Sequence, residues 1–136
     1  MSTMIFVNLP VKDLDQSKEF YARLGFTNNP QFTDDTAACM VLSEQIYVML
    51  LTHPKFQGFA PHPIGDAKQT TQSLYAVSRE SKEGVDAIVD QAVAAGATTF
   101  SDPIDYGFMY SRSFQDLDGH VWEWVYMNME AMPQQA

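Results

Sequence analysis

The sequence predicts an α+β fold assembled from two βαβββ modules, each running strand, helix, three strands. Three observations carry that expectation. Two amphipathic helical stretches each close on a glycine, Gly25 and Gly96. Each stretch follows one apolar strand pattern and precedes several more. The interval from Gly25 to the hairpin residue Ser43 nearly equals that from Gly96 to Asp116. Residue identity between the halves is low, so the repeat is read from pattern; the alternative is a single α+β domain with two helices. A unit of this size cannot bury both its helix and its sheet alone, so the halves are expected to pack together.

In chain order, Ile5–Val11 reads as a strand with Val7, Leu9 and Val11 on one face and Phe6 and Asn8 on the other. Pro10 cannot donate to a ladder and marks an edge or a strand end. Asp13 is the expected N-cap of a helix whose Leu14, Tyr21 and Leu24 share a face bordered by Phe20. Gly25 stops it, because a positive φ is cheap only for glycine. Strands are expected over 26–32, 37–42 and 46–52, with Ser43-Glu44-Gln45 joining the last two as a hairpin. Module one therefore spans about 4–52.

Residues 53–69 carry Pro54, Gly58, Pro61, Pro63 and Gly65 and read as the linker. Module two, about 70–127, opens with a strand at 73–77. Ser81 is the expected N-cap of a helix with Val85, Ile88, Val89, Ala92 and Val93 on one face. Strands follow at about 98–100, 108–114 and 121–127. Asp116-Leu117-Asp118-Gly119 between the last two is a turn, with Asp to start it and Gly for the left-handed position. Residues 128–136 form a polar tail.

Composition bounds the function. The 136 residues are 46% hydrophobic, enough for one cored domain over 1–136. Eight basic against seventeen acidic residues give a net charge of −9. That sign repels phosphate, so neither nucleic acid nor an anionic membrane is an expected partner. A small neutral or cationic molecule is. The one cysteine, Cys39, excludes an internal disulfide and a cysteine-built metal site; in its apolar strand it reads as a buried small hydrophobe. Met1–Lys12 has no basic, apolar leader pattern, and no apolar run approaches the roughly 20 residues that span a bilayer, so cytoplasmic residence is expected.

Two segments carry a family resemblance. Val11-Lys12-Asp13-Leu14-Asp15-Gln16-Ser17-Lys18-Glu19-Phe20-Tyr21, closing on Leu24-Gly25-Phe26, is similar to the first strand-to-helix segment of the vicinal oxygen chelate superfamily. Asp116-Leu117-Asp118-Gly119-His120-Val121-Trp122-Glu123 resembles its closing DPDG-x-x-x-E motif. That superfamily holds glyoxalase I, bleomycin resistance proteins and extradiol dioxygenases, and the likeness covers about residues 4–127. It implies two βαβββ modules whose mixed sheet curls around a cavity with helices outside, and a homodimer.

The resemblance also implies a four-ligand metal site. Its positions fall on Phe6, on Met49, on Ser73 or its neighbours Gln72 and Leu74, and on Glu123. Met49 lies as far past Glu44 as Glu123 lies past Asp118. Phe6 and Met49 offer no hard donor and none of the three third-position residues is a histidine, so one family ligand of four, Glu123, survives, whereas a divalent ion needs several donors to offset lost hydration. No cofactor is expected; Glu123 and His53 are the candidates should a divalent metal bind. Two functions stay open. One is a metal-free protein binding a small apolar or cationic molecule. The other is a glyoxalase-type lyase or isomerase (lactoylglutathione lyase-like) with Glu123 as its catalytic group.

Glu123 is the one acid in the apolar run 121–126. It faces the ligand, or it points to solvent or pairs with Arg112. His53 reaches the cavity rim if its strand extends that far, or it begins a loop before Pro54. Candidate ligand-binding residues are Phe6, Asn8, Met49, Tyr75, Phe108, Tyr110, Arg112 and Glu123. Aromatic and thioether groups offer adaptable apolar area, although core packing accounts for any one of them. Phe56 and Phe59 make the connector a candidate lid or dimer contact. His62 and His120 read as surface residues.

Overall fold

The computed structural model describes residues 2–131, which divide into two compact units, one through Asp66 and one from Ala67. The first unit holds β1 (Ile5–Val11), α1 (Leu14–Arg23), β2 (Thr27–Asn29), β3 (Ala37–Val41), β4 (Ile46–Thr52) and α2 (His53–Phe59). Its sheet has the order β1-β4-β3-β2, with β1 parallel to β4 and the other pairs antiparallel. The second unit holds β5 (Leu74–Ser78), α3 (Lys82–Ala94), β6 (Ile104–Asp105), β7 (Met109–Gln115) and β8 (Val121–Met127). Its sheet has the order β5-β8-β7-β6, with β5 parallel to β8 and the rest antiparallel. Each is a four-stranded mixed sheet, so both units realise the strand, helix, three-strand pattern.

Local chemistry explains the elements. The Asp13 carboxylate accepts from the Gln16 amide at 3.1 Å and opens α1; the Ser81 hydroxyl accepts from the Gly84 amide at 2.9 Å and opens α3. Gly25 and Gly96 close the two helices at φ of 102° and 112°. The turn before β8 is built by Asp116, whose Oδ1 accepts from the Asp118 and His120 amides, both at 2.9 Å. Gly119 completes it at φ 93°, and a Cβ there would stand 2.8 Å from the Lys68 amide nitrogen.

Burial sorts the faces of each sheet. In the first, register places Leu9, Met40, Val48 and Leu50 on one face, all 0–1% exposed, with α1 packed against β3 and β4. Phe20 and Tyr21 of α1 are buried there. In the second, Phe114, Trp122 and Trp124 share the face that α3 covers, where the two indoles stack at 5.8 Å. These rings supply much of the buried apolar area of the unit.

Four elements differ from expectation. The connector after β4 begins with a helix: Pro54 sits in the first turn of α2, where its missing N–H costs nothing. The Gln57 amide then ties down the following loop, donating to the His62 carbonyl and accepting from the Ile64 amide. The strand expected over 26–32 ends at Asn29, whose side chain caps a 3-10 turn at Pro30–Phe32. The strand expected at 98–100 shrinks to a bridge between Thr98 and Gln115, and β7 takes its hairpin partner from Ile104–Asp105. A 3-10 turn at Met129–Ala131 interrupts the expected tail, whose remainder lies outside the described residues.

Candidate functional site

Each sheet keeps one face away from its main helix, and these open faces hold part of the candidate set. In the first unit Phe6, Asn8, Tyr47 and Met49 share it by register. Phe6 is 49% exposed and stacks on Tyr47, centroids 4.6 Å apart and planes within 14°. Asn8 stands beside Met49, and its side-chain amide donates to the Phe6 carbonyl at 3.0 Å. Cys39 lies on the other side of Met49, and burial pushes its thiol pKa up.

In the second unit the open face carries Glu123. Its register neighbours are Ala76 on β5 and Ser113 on β7. The next same-face positions hold Val125, flanked by Ser78 and Ser111. Glu123 is half-buried, and among the described residues no hydrogen bond or ion pair engages its carboxylate.

The remaining candidates lie elsewhere. Tyr75, Tyr110 and Arg112 belong to the helix-facing set of the second sheet. Tyr75 packs on Trp122 at 5.2 Å. Arg112 Nη1 donates to Asp86 and Asp90 of α3, both at 3.0 Å, and the Tyr110 hydroxyl donates to Asp86 at 2.6 Å. Arg112 therefore does not pair with Glu123; the strand pleat turns the two to opposite faces, and Arg112 faces Trp124 in register. The Tyr110 hydrogen bond, aided by Arg112, holds the Asp86 carboxyl below its ordinary value, and the same bond raises Tyr110. Phe108 sits in the β6–β7 turn beside Tyr106, rings 6.3 Å apart.

His53 heads α2 and is exposed; β4 stops at Thr52, so the strand parity that would carry His53 alongside Met49 is not available to it. Phe56 and Phe59 ride on the same short helix, half-buried and exposed respectively. The serines around Glu123 escaped the sequence reading. Their signal is alternation: Tyr110, Arg112 and Phe114 are large and go to the helix side, which leaves Ser111 and Ser113 opposite.

Register also resolves the position left open among Gln72, Ser73 and Leu74. Phe6 pairs with Tyr47, one same-face step before Met49; Leu74 pairs with Val121, one same-face step before Glu123. Leu74 is thus the counterpart of Phe6, and it is 59% exposed. The donors do not fit a divalent ion, since Phe6, Met49 and Leu74 carry no hard ligand. Among the described residues no three His, Cys, Asp or Glu side chains are grouped to hold one.

Comparison with known proteins places this architecture. Residues 3–43 match the bleomycin resistance protein-like N-terminal family. A hypothetical protein from S. aureus superposes with a TM-score of 0.77 at 26% identity, covering 93% of this chain and 95% of that one. A glyoxalase/bleomycin resistance protein/dioxygenase family enzyme from Burkholderia phytofirmans gives 0.76 at 19% identity, covering 93% and 99%. The chain has the vicinal oxygen chelate fold. The fosfomycin resistance protein FosX from Listeria monocytogenes has the same fold, with a TM-score of 0.67 at 20% identity over 96% of this chain and 97% of that one. No curated protein matches the chain. On the vicinal oxygen chelate framework, the closing motif is the Asp116–Gly119 turn that delivers Glu123 to the open face of β8. No helix among the described residues is long and apolar enough to cross a membrane.

Proposed function

We propose that this is a glyoxalase/bleomycin-resistance-like protein with a degenerate metal site, and that it binds a small apolar or cationic molecule against its open sheet faces. One observation carries the reading: Glu123 is a half-buried carboxylate without a protein partner among the described residues, while the matching positions are Phe6, Met49 and Leu74. A carboxylate so placed attracts a cation, and the net charge of −9 raises the local cation concentration. The Phe6–Tyr47 stack offers flat apolar area beside Met49. A panel of flat apolar and cationic compounds, titrated against the protein by heteronuclear NMR, tests this. Saturable shifts at residues on either open face are expected, and none from any compound overturns it.

A second reading is a glyoxalase-type lyase or isomerase with Glu123 as base. The Burkholderia phytofirmans neighbour, an enzyme by its description, favours it. The donor set and the position of His53 oppose it. Turnover of a glutathione hemithioacetal, restored by Ni²⁺ or Zn²⁺ after chelation, would establish that reading over the first. The preferred reading also has the chain as a cytoplasmic homodimer, without nucleic acid or membrane as partner. Light scattering of the purified protein checks the dimer.

A further inference from the structure

The second sheet sorts its side chains by chemistry. Its large rings Tyr75, Tyr110, Phe114, Trp122 and Trp124 go to the α3 side. Around Glu123 on the open side, Ser113 and Ala76 lie directly across and Ser111 and Ser78 one same-face step towards Val125, while the larger Gln115 and Leu74 flank Val121 in the other direction. No side-chain hydrogen bond or ion pair engages Glu123, Ser111 or Ser113 among the described residues.

That arrangement discriminates between kinds of cation. A quaternary ammonium has no N–H to donate and is held by aromatic faces. No ring of this sheet's strands lies beside Glu123. A primary ammonium carries three N–H donors and needs as many directional acceptors. Directly opposed strand positions lie about 4.5–5.5 Å apart at Cβ, and diagonal ones about 7–8 Å, so one small head group can reach a carboxylate and two hydroxyls together. The small side chains of Ala76 and Ser113 leave the carboxylate room for that group.

Building on the reading that this face binds a small molecule, we infer that its guest is a protonated primary amine, R–NH₃⁺. Glu123 takes one N–H, the hydroxyls of Ser113 and of the largely buried Ser111 take the others, and an aliphatic R group lies along the half-buried Val125.

The test is a pair of probes of equal tail, n-hexylammonium and hexyltrimethylammonium, with uncharged 1-hexanol as a third, each titrated by heteronuclear NMR at neutral pH. The amine is expected to shift the amides around Glu123 and Ser113 saturably, at least about tenfold tighter than the quaternary ion, because only the amine can donate hydrogen bonds to the carboxylate and hydroxyls. Ser113→Ala is expected to weaken the amine several-fold and leave the quaternary ion unchanged. Glu123→Gln removes the preference, with spectral dispersion reporting that both variants fold. Equal or tighter binding of the quaternary ion overturns the amine assignment and leaves small-molecule binding standing, as does saturable binding of hexanol alone. Failure of all three probes on this face overturns the assignment and removes this face from the binding reading.

Discussion

Met49 and Glu123 occupy equivalent register positions in the two sheets. Each sits on the parallel partner of its module's first strand, one same-face step past the residue that pairs with an exposed edge hydrophobe, Phe6 or Leu74. The duplication therefore places a thioether where its sister module places a carboxylate. A thioether is a poor ligand for hard divalent ions, and one carboxylate cannot replace an ion's hydration shell.

The first prediction concerns metal. Ligand binding to the native state raises stability by RT ln(1 + [L]/Kd), so tight binding must show as a shifted melting temperature. Addition of about 1 mM Ni²⁺ or Zn²⁺, or of excess chelator, is expected to leave Tm within about 1 °C. A rise of several degrees that Glu123→Gln abolishes would show that the residues assemble a metal site after all.

The second concerns the closing turn. Gly119 has φ 93°, and an added Cβ would meet backbone, the Lys68 nitrogen at 2.8 Å and the Ala67 carbonyl carbon at 2.9 Å. Gly107 has φ 82° with nothing within 4 Å of its absent Cβ. Gly107→Ala therefore bears only the left-handed strain, about 1 kcal/mol, whereas Gly119→Ala adds a clash with rigid atoms and costs about 2–4 kcal/mol. Urea unfolding of both variants measures the difference, and equal losses would contradict the steric argument.

That turn was legible in the sequence because its chemistry is local. Asp116 and Gly119 act on amides and dihedrals within their own segment, and Asp13, Ser81, Gly25 and Gly96 do the same at helix ends. The face of each strand was half legible. The alternation of Val7, Leu9 and Val11 against Phe6 and Asn8 gave the pleat of β1. Residue type alone makes Tyr75, Tyr110 and Arg112 ligand contacts, because aromatic and basic groups suit a binding surface as well as a packed one. Only the register with Trp122 and Trp124, and the reach of Arg112 to α3, places them on the packed side. Those are long-range relations, and residue type does not encode them. The helix at His53–Phe59 was hidden by its own proline and glycine, which in isolation favour a turn.

The third prediction sets two arginines against each other. Arg112 donates to Asp86 and Asp90, while the Nε of Arg79 is buried without a partner and its guanidinium lies 4.7 Å over the Trp124 ring. Burial alone pulls the Arg79 pKa down. Arg79→Met gives up a cation–π contact and removes an unsatisfied donor, so its stability is expected to match or exceed the parent by up to about 1 kcal/mol. Arg112→Met strips both carboxylates and is expected to cost about 1 kcal/mol. Calorimetric melting of the two variants orders them, and the reverse order would refute the distinction.

The fourth is a pH dependence. The Tyr110 hydrogen bond does most to depress the Asp86 pKa in the folded state; burial opposes it, and Arg112 lowers it further. A depressed folded pKa makes the charged carboxylate stabilising above its unfolded value, and that stability is lost as pH falls through the folded value. The window lies below about pH 4. Asp86→Asn is expected to flatten the stability curve there, with a lower plateau at neutral pH. An unchanged acid slope would remove Asp86 from the account.

The last concerns the lone thiol. Cys39 is 2% exposed, between Asn29 and Met49 in the ladder, and burial raises its pKa. Thiolate rather than thiol attacks disulfide reagents, so both access and protonation protect it. Reaction with an aromatic disulfide is then gated by opening of β3 and its neighbours, and at a fixed reagent concentration the rate is expected to track local stability. Gly119→Ala lies in the other unit and serves as the control. If unfolding is one cooperative event, that variant speeds labelling in proportion to its lost stability; if the units open separately, it leaves the rate unchanged. Labelling of the parent protein at close to the rate of an unprotected thiol would show that the open face near Met49 admits reagent down to the sulfur.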